Sequence, residues 1–187
     1  MSYKIIGRSR ILSAAFVLAF SLATAPSAFA ATQGTQGSTS TGSVNINASV
    51  PSRVRISGLT DVNLLNQDPT IDAVSAQDVC VWSNTATRGY SITATGSGSG
   101  SAFTLAGSSS SVPYSVEWAD STAQTTGTSL TTGAAVTGFT SSATQQVCSA
   151  GPSASASLII KIASADLSTM QAAQTYTGTL TLLVTPE

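Results

Sequence analysis

Between residues 176 and 185 the chain alternates apolar and polar side chains almost throughout. Tyr176, Gly178, Leu180, Leu182 and Val184 fall on one side, Thr177, Thr179, Thr181 and Thr185 on the other, and only Leu183 is out of turn. A period of two is that of an extended strand with one buried face. A strand this long and apolar belongs inside a sheet, because a flat apolar edge left open pairs with whatever strand it meets. Only Pro186 and Glu187 follow it, so the strand that covers its free edge is expected to come from elsewhere.

A second run is of the complementary kind. Val44, Ile46, Ala48 and Val50 alternate with Asn45, Asn47 and Ser49 without a miss, and Pro51 follows at once. Upstream, residues 31–42 are almost wholly Ser, Thr, Gly and Gln, a flexible polar arm that offers no hairpin partner, while Pro51 sets a rigid hinge at the far end. Residues 43–51 therefore read as a detachable strand. The competing reading makes them the first strand of a sandwich that pairs within its own chain.

Residues 1–30 read as a secretory signal peptide: a basic head of Lys4, Arg8 and Arg10, an apolar run from 11 to 25, and small residues at Ala28 and Ala30 before cleavage at Ala31. The apolar run is too short for a membrane anchor, and no other stretch approaches spanning length. Without the signal, four basic residues face eight acidic ones, a net charge of −4. Such a chain has no footprint for nucleic acid. Histidine is absent, which removes the commonest general base and metal ligand together. Cys80 and Cys148 are the two cysteines. In an exported chain they are expected to pair, closing a loop of about seventy residues and contributing roughly 4 kcal/mol by the loop-entropy estimate; a free thiol pair is the alternative.

Between these runs the apolar residues come in short bursts separated by Ser, Thr, Gly and Ala, the pattern of many brief strands. Val54 and Ile56 alternate with Arg53, Arg55 and Ser57 until Gly58 ends the strand. Residues 61–78 read as an acidic loop with one short strand. Residues 79–84 and 90–95 fit either two strands around a turn or one long bulged strand. Further strands are expected over 102–105, 112–118, 134–139 and 155–162, the last buried on both faces through Leu158, Ile159, Ile160 and Ile162. Residues 163–173 predict one helical turn capped by Ser164, with Leu167 and Met170 facing in.

No constellation for catalysis emerges. The serines lack a His partner and a nucleophile elbow, and the glycines at 96, 98 and 100 precede no apolar helix that would make them a phosphate loop. Asp61, Asp68, Asp72 and Asp78 lie close in sequence; solvated loop acids are the plain reading, a calcium site or a glycosidase-like pair the functional ones. Trp118 reads as a core anchor, with a sugar-stacking platform as its functional alternative. The chain is expected to be no enzyme and to need no cofactor.

Residues 44–51 with the strand after them resemble the donor strand, proline and first strand of chaperone-usher pilins of the colonisation-factor (alpha) class. The run Thr175-Tyr176-Thr177-Gly178-Thr179-Leu180-Thr181-Leu182, on to Val184 and Pro186, resembles the terminal strand shared by that class and the archaic pilins, which include spore coat protein U-like domains. Residues 112–118 are similar to a mid-domain strand of the same pilins.

The resemblance implies an all-β, incomplete immunoglobulin-like sandwich over residues 52–187, completed by donor-strand exchange. It implies that Val44, Ile46, Ala48 and Val50 fill a neighbour's pockets, and that Val54, Ile56, Leu180, Leu182 and Val184 border the acceptor groove. The implied role is a major or minor shaft subunit of a surface fimbria, supporting adhesion or biofilm formation. Its implied partners are copies of itself, a periplasmic pilus chaperone, an outer-membrane usher and a tip adhesin. A self-contained secreted β-sandwich that binds a carbohydrate or cell-surface ligand is the rival reading.

Overall fold

The computed structural model describes residues 30–187, so the predicted signal peptide lies outside the described residues except for Ala30. The chain divides into one unit ending at Ser49 and another spanning Val50–Glu187. Among the described residues no helix is long and apolar enough to cross a membrane.

The second unit is all-β. Its strands are β1 (Val54–Ser57), β2 (Ala73–Ser83), β3 (Gly89–Gly96), β4 (Thr104–Ala106), β5 (Ser111–Pro113), β6 (Ser115–Ala119), β7 (Thr128–Ser129), β8 (Ala135–Thr140), β9 (Ala156–Ile162) and β10 (Leu180–Pro186), with a single short helix, α1 (Ser164–Leu167), between the last two. One sheet runs β1-β2-β9-β6-β7, a second β10-β3-β8, and β4 pairs with β5 alone. Every one of these pairings is antiparallel.

The two larger sheets pack face to face as a sandwich. Val79, Val81, Val116, Trp118, Leu158 and Ile162 from one sheet and Tyr90, Ile92, Ala94 and Phe139 from the other share one buried cluster. Trp118 has no exposure, and its indole Nε1–H donates to the Tyr90 hydroxyl at 3.0 Å, a bond that ties β6 to β3 across the interior. The Tyr90 ring in turn stacks on Phe139 at 5.7 Å. Burial of this kind satisfies the polar tips of Trp and Tyr while their rings fill the core. Trp118 is thus the predicted anchor, and its burial removes it as a sugar platform.

Several boundaries differ from those the sequence predicts. The short strand expected within 61–78 lies at residues 73–78 and is continuous with the next one: together they make β2, and Val74 to Asp78 pair with Lys161 to Ser157 of β9. The polar Ser75, Gln77 and Asp78 hid the strand's apolar pattern, but the long buried β9 requires ladders on both sides. The ambiguity at 79–95 resolves as two strands, and they lie in different sheets. Residues 112–118 split at Tyr114, whose N–H donates to Phe103 O at 2.9 Å, because Pro113 has no N–H with which to continue a ladder. The last strand starts at Leu180. Upstream of it the chain makes only an isolated bridge, Ala106 to Thr177.

The helix is also capped differently. Its N-cap is Ala163, and the Ser164 N–H is taken by the Asp72 carboxylate at 2.8 Å, a cap supplied from a distant loop rather than by the Ser164 hydroxyl. Leu167 is buried and Met170 packs against the core, as expected. Cys80 and Cys148 form a disulfide, clustered with Ala143 and Trp82, which pins the loop after β8 to β2.

In the first unit, Thr32 and Ser43 form an isolated antiparallel bridge, so the polar arm closes on itself instead of trailing freely. The alternating residues 44–50 that follow belong to no strand.

Candidate strand-acceptor groove

A groove of about 1080 Å³ opens into the second unit. Leu158, Ile160 and Ile162 of β9, with Leu105, Tyr114 and Leu167, line its depth. One side is formed by residues 59–69 and the other by residues from Met170 through Leu182. Asp61 is the single charged residue in this lining; the β9 side chains give the cavity an apolar floor that rewards an apolar occupant, while Asn, Gln and Thr residues are spread along its walls.

Each side is an edge of extended or turning chain. β10 pairs with β3 from Leu180 opposite Gly96 to Pro186 opposite Tyr90, and among the described residues no strand pairs with its other side. Its burial alternates, with Leu180, Leu182 and Val184 half-buried between exposed Thr181, Leu183 and Thr185. On the opposite side, Val62 and Leu64 are half-buried while Asp61, Asn63 and Leu65 are exposed, the period of a strand, yet this segment belongs to no sheet. Gln77 of β2 holds it. The Gln77 Oε1 accepts from the Thr60 N–H at 2.8 Å and the Thr60 hydroxyl at 3.1 Å, while Nε2–H donates to Thr60 O at 3.0 Å. A side chain thereby takes the place of a ladder rung, and Gly58, at φ +82°, provides the turn that leads β1 into this wall.

The segment entering β10 is fixed by Tyr176. Its ring is buried, and its hydroxyl is 2.9 Å from Ser110 Oγ and accepts from the Gln171 N–H at 3.1 Å. Beside it the Gln174 Nε2 donates to Ser108 Oγ, while Gln174 Oε1 is buried without a partner.

Of the residues predicted to border a groove, Leu180 and Leu182 line it. Val54, Ile56 and Val184 are not in its lining and pack against the core, as Leu180 and Leu182 also do; β1 and β10 are in contact, though no ladder joins them. The groove opens between residues 59–69 and the approach to β10. Sequence reasoning missed Gln77, Tyr176 and the wall over 59–65; the period-two placement of Val62 and Leu64 was the available signal, masked by Leu65. The predicted donor residues are all exposed: Val44 by 69%, Ile46 by 86% and Val50 by 80%, with Ala48 exposed as well.

The four aspartates do not converge. Asp68 accepts from the Thr70 hydroxyl and N–H, which hold its carboxyl below the usual range. Asp72, lowered by the Ser164 N–H, caps α1. Asp78 accepts from the Ala123 N–H and the Ser157 hydroxyl, both at 2.8 Å, and Asp61 sits in the groove wall. Among the described residues no group of three or more metal-ligating side chains comes together.

No family model matches the chain, and no curated protein matches its sequence. Among solved structures it is similar to a chain from work described as "Chaperone-tip adhesin complex is vital for synergistic activation of CFA/I fimbriae biogenesis", with 17% identity and a TM-score of 0.45. The match covers 73% of this chain and 41% of that one, so the chain spans less than half of that chain's length.

Proposed function

We propose that the chain is a structural subunit of a bacterial surface pilus, built by inserting residues 44–50 of one copy into the groove of the next. The observation that carries this reading is a mismatch within a single chain. An alternating segment exposes Val44, Ile46 and Val50 by 69%, 86% and 80%, while a groove with an apolar floor stands open beside β10, whose side away from β3 no strand pairs among the described residues. Each is unfavourable alone, and each supplies what the other lacks. An inserted strand of this length spans roughly 23 Å. It gains main-chain bonds along an edge, and each Val or Ile side chain contributes roughly 1.5 kcal/mol or more on burial.

On this reading copies join head to tail, a heterologous contact that propagates as a fibre. Before assembly the open groove needs cover, which a periplasmic chaperone supplies by lending a strand; an outer-membrane usher then exchanges it for the next subunit's strand. A tip adhesin ends the fibre, and the assembled product stands on the cell surface in adhesion or biofilm formation. The test compares the chain beginning at Ala31 with one beginning at Ser52. The shortened chain should be unstable or chaperone-bound, should regain stability with a synthetic peptide covering residues 43–51, and should never polymerise. A full-length chain that remains a stable monomer, with a shortened chain that no peptide rescues, would instead place the strand in its own sandwich and favour a secreted ligand-binding domain.

A further inference from the structure

Just upstream of the exposed strand the chain is doubled. The Thr32 N–H donates to Ser43 O and the Ser43 N–H to Thr32 O, both at 2.9 Å. Two glycines sit where the arms come close: a Cβ at Gly34 would stand 3.1 Å from the backbone oxygen of Thr41, and one at Gly42 would stand 3.0 Å from that of Thr32. Between the bridged pair every residue is Gln, Gly, Thr or Ser, and all are exposed. The loop has no apolar side chain to bury, so its closure serves no core. It ends at Ser43, one residue before the alternating run begins at Val44.

We infer that this closed loop is a register stop, which limits the inserted strand to the residues from Val44 onward. The inference rests on the strand-exchange reading above. A slip by one residue would turn Asn45, Asn47 and Ser49 into the pockets, and burial alone forbids it. A slip by two keeps the parity and places Gly42, Val44, Ile46 and Ala48 inward, so hydrophobicity penalises it only by the loss of Val50. A physical obstacle is therefore needed against that one error. The doubled chain is such an obstacle: a groove that admits one strand offers about one inter-strand spacing of roughly 4.8 Å on each side, whereas a bridged pair needs room for two. At the other end Pro51, lacking an N–H, ends the ladder.

The test uses fibres of the full chain and of two variants in the exposed loop, Thr32→Pro, which removes a bridging N–H, and Gly34→Val, whose branched side chain crowds Thr41 O on the facing arm. Amide hydrogen exchange is read across residues 31–52 before and after assembly. In wild-type fibres protection should begin at Ser43, whose N–H the bridge already holds, with residues 33–42 exchanging freely. In both variants fibres should still form, but Gly42 should gain protection and Val50 should split into two exchanging populations. Variant fibres in which Gly42 still exchanges freely, or wild-type fibres protected within residues 33–42, would overturn the stop while leaving strand exchange intact. A wild-type chain that never assembles would overturn the strand-exchange reading and the stop with it.

Discussion

Ile46→Ala separates the stability of the subunit from that of the fibre. Ile46 is 86% exposed in the chain, so its truncation should change the stability of the unassembled protein by no more than about 0.5 kcal/mol, the range for surface sites. Seated in a neighbour's groove, the same side chain loses three carbons' worth of burial, about 2.4 kcal/mol at roughly 0.8 per methylene. The void left behind raises this further, but residues 59–65 form a wall held mainly through Gln77 and can move inward. A cost of about 2–3 kcal/mol per subunit contact follows, at the low end for a large-to-Ala change. That is roughly a 30- to 150-fold weaker contact. Urea titration of the unassembled chain and dilution-induced dissociation of fibres, followed by light scattering, measure the two quantities. Leu183→Ala, 61% exposed on the outer face of β10, is the control that should move neither. Equal destabilisation of the single chain, or fibres indifferent to Ile46→Ala, would refute the reasoning.

Other consequences follow from the sandwich. Reducing the Cys80–Cys148 bridge, which spans a sequence separation of 68, should lower stability by roughly 4 kcal/mol on the loop-entropy estimate, read as a fall in the urea midpoint with dithiothreitol. Trp118→Phe leaves the buried Tyr90 hydroxyl without its donor and should cost about 1–3 kcal/mol in thermal or denaturant unfolding, beyond the cavity it opens. Burial pushes the Tyr90 phenol up to about 12; its protonated state therefore favours the fold, a contribution present below the ordinary phenol pKa and lost as pH rises through the folded value. Absorbance titration should show Tyr90 ionising only with alkaline unfolding. Glu117 is held below the usual carboxylate range by the Lys161 ammonium at 2.8 Å. Its contribution is thus present above the ordinary carboxylate pKa and lost as pH falls through the folded one, so Lys161→Met should cost under about 1 kcal/mol at neutral pH and nothing in strong acid.

Much of the fold was legible because burial leaves a period in the sequence. The inward series Val112, Tyr114, Val116 and Trp118 is buried throughout, although one pattern spans two strands, since side-chain alternation survives a break in hydrogen bonding at Pro113. The out-of-turn Leu183 is exposed, as the alternation of its neighbours requires. What stayed hidden depends on groups that leave no period. Gln77 of β2 spends its side chain on hydrogen bonds to Thr60 and Ser75 is only half-buried, so the short strand expected within 61–78 shows no bounds in the sequence. The helix cap comes from Asp72, 92 residues away from Ser164, a distance at which no local signal operates. The groove's lining is hidden for a related reason: residues 59–69, β9 and the approach to β10 are brought together only by packing.

Strand exchange between copies is tested most directly by mixing. A chain carrying Ile46→Asp keeps an intact groove and accepts a neighbour's strand, but its own strand cannot enter a slot with an apolar floor. Mixed with wild-type chains before assembly, it should be incorporated only at fibre ends, and mean length measured by electron microscopy should fall with its mole fraction, to roughly two subunits at equal amounts for a head-to-tail contact. Fibres of unchanged length that exclude the variant, or that carry it along their whole length, would contradict exchange of residues 44–50 between chains.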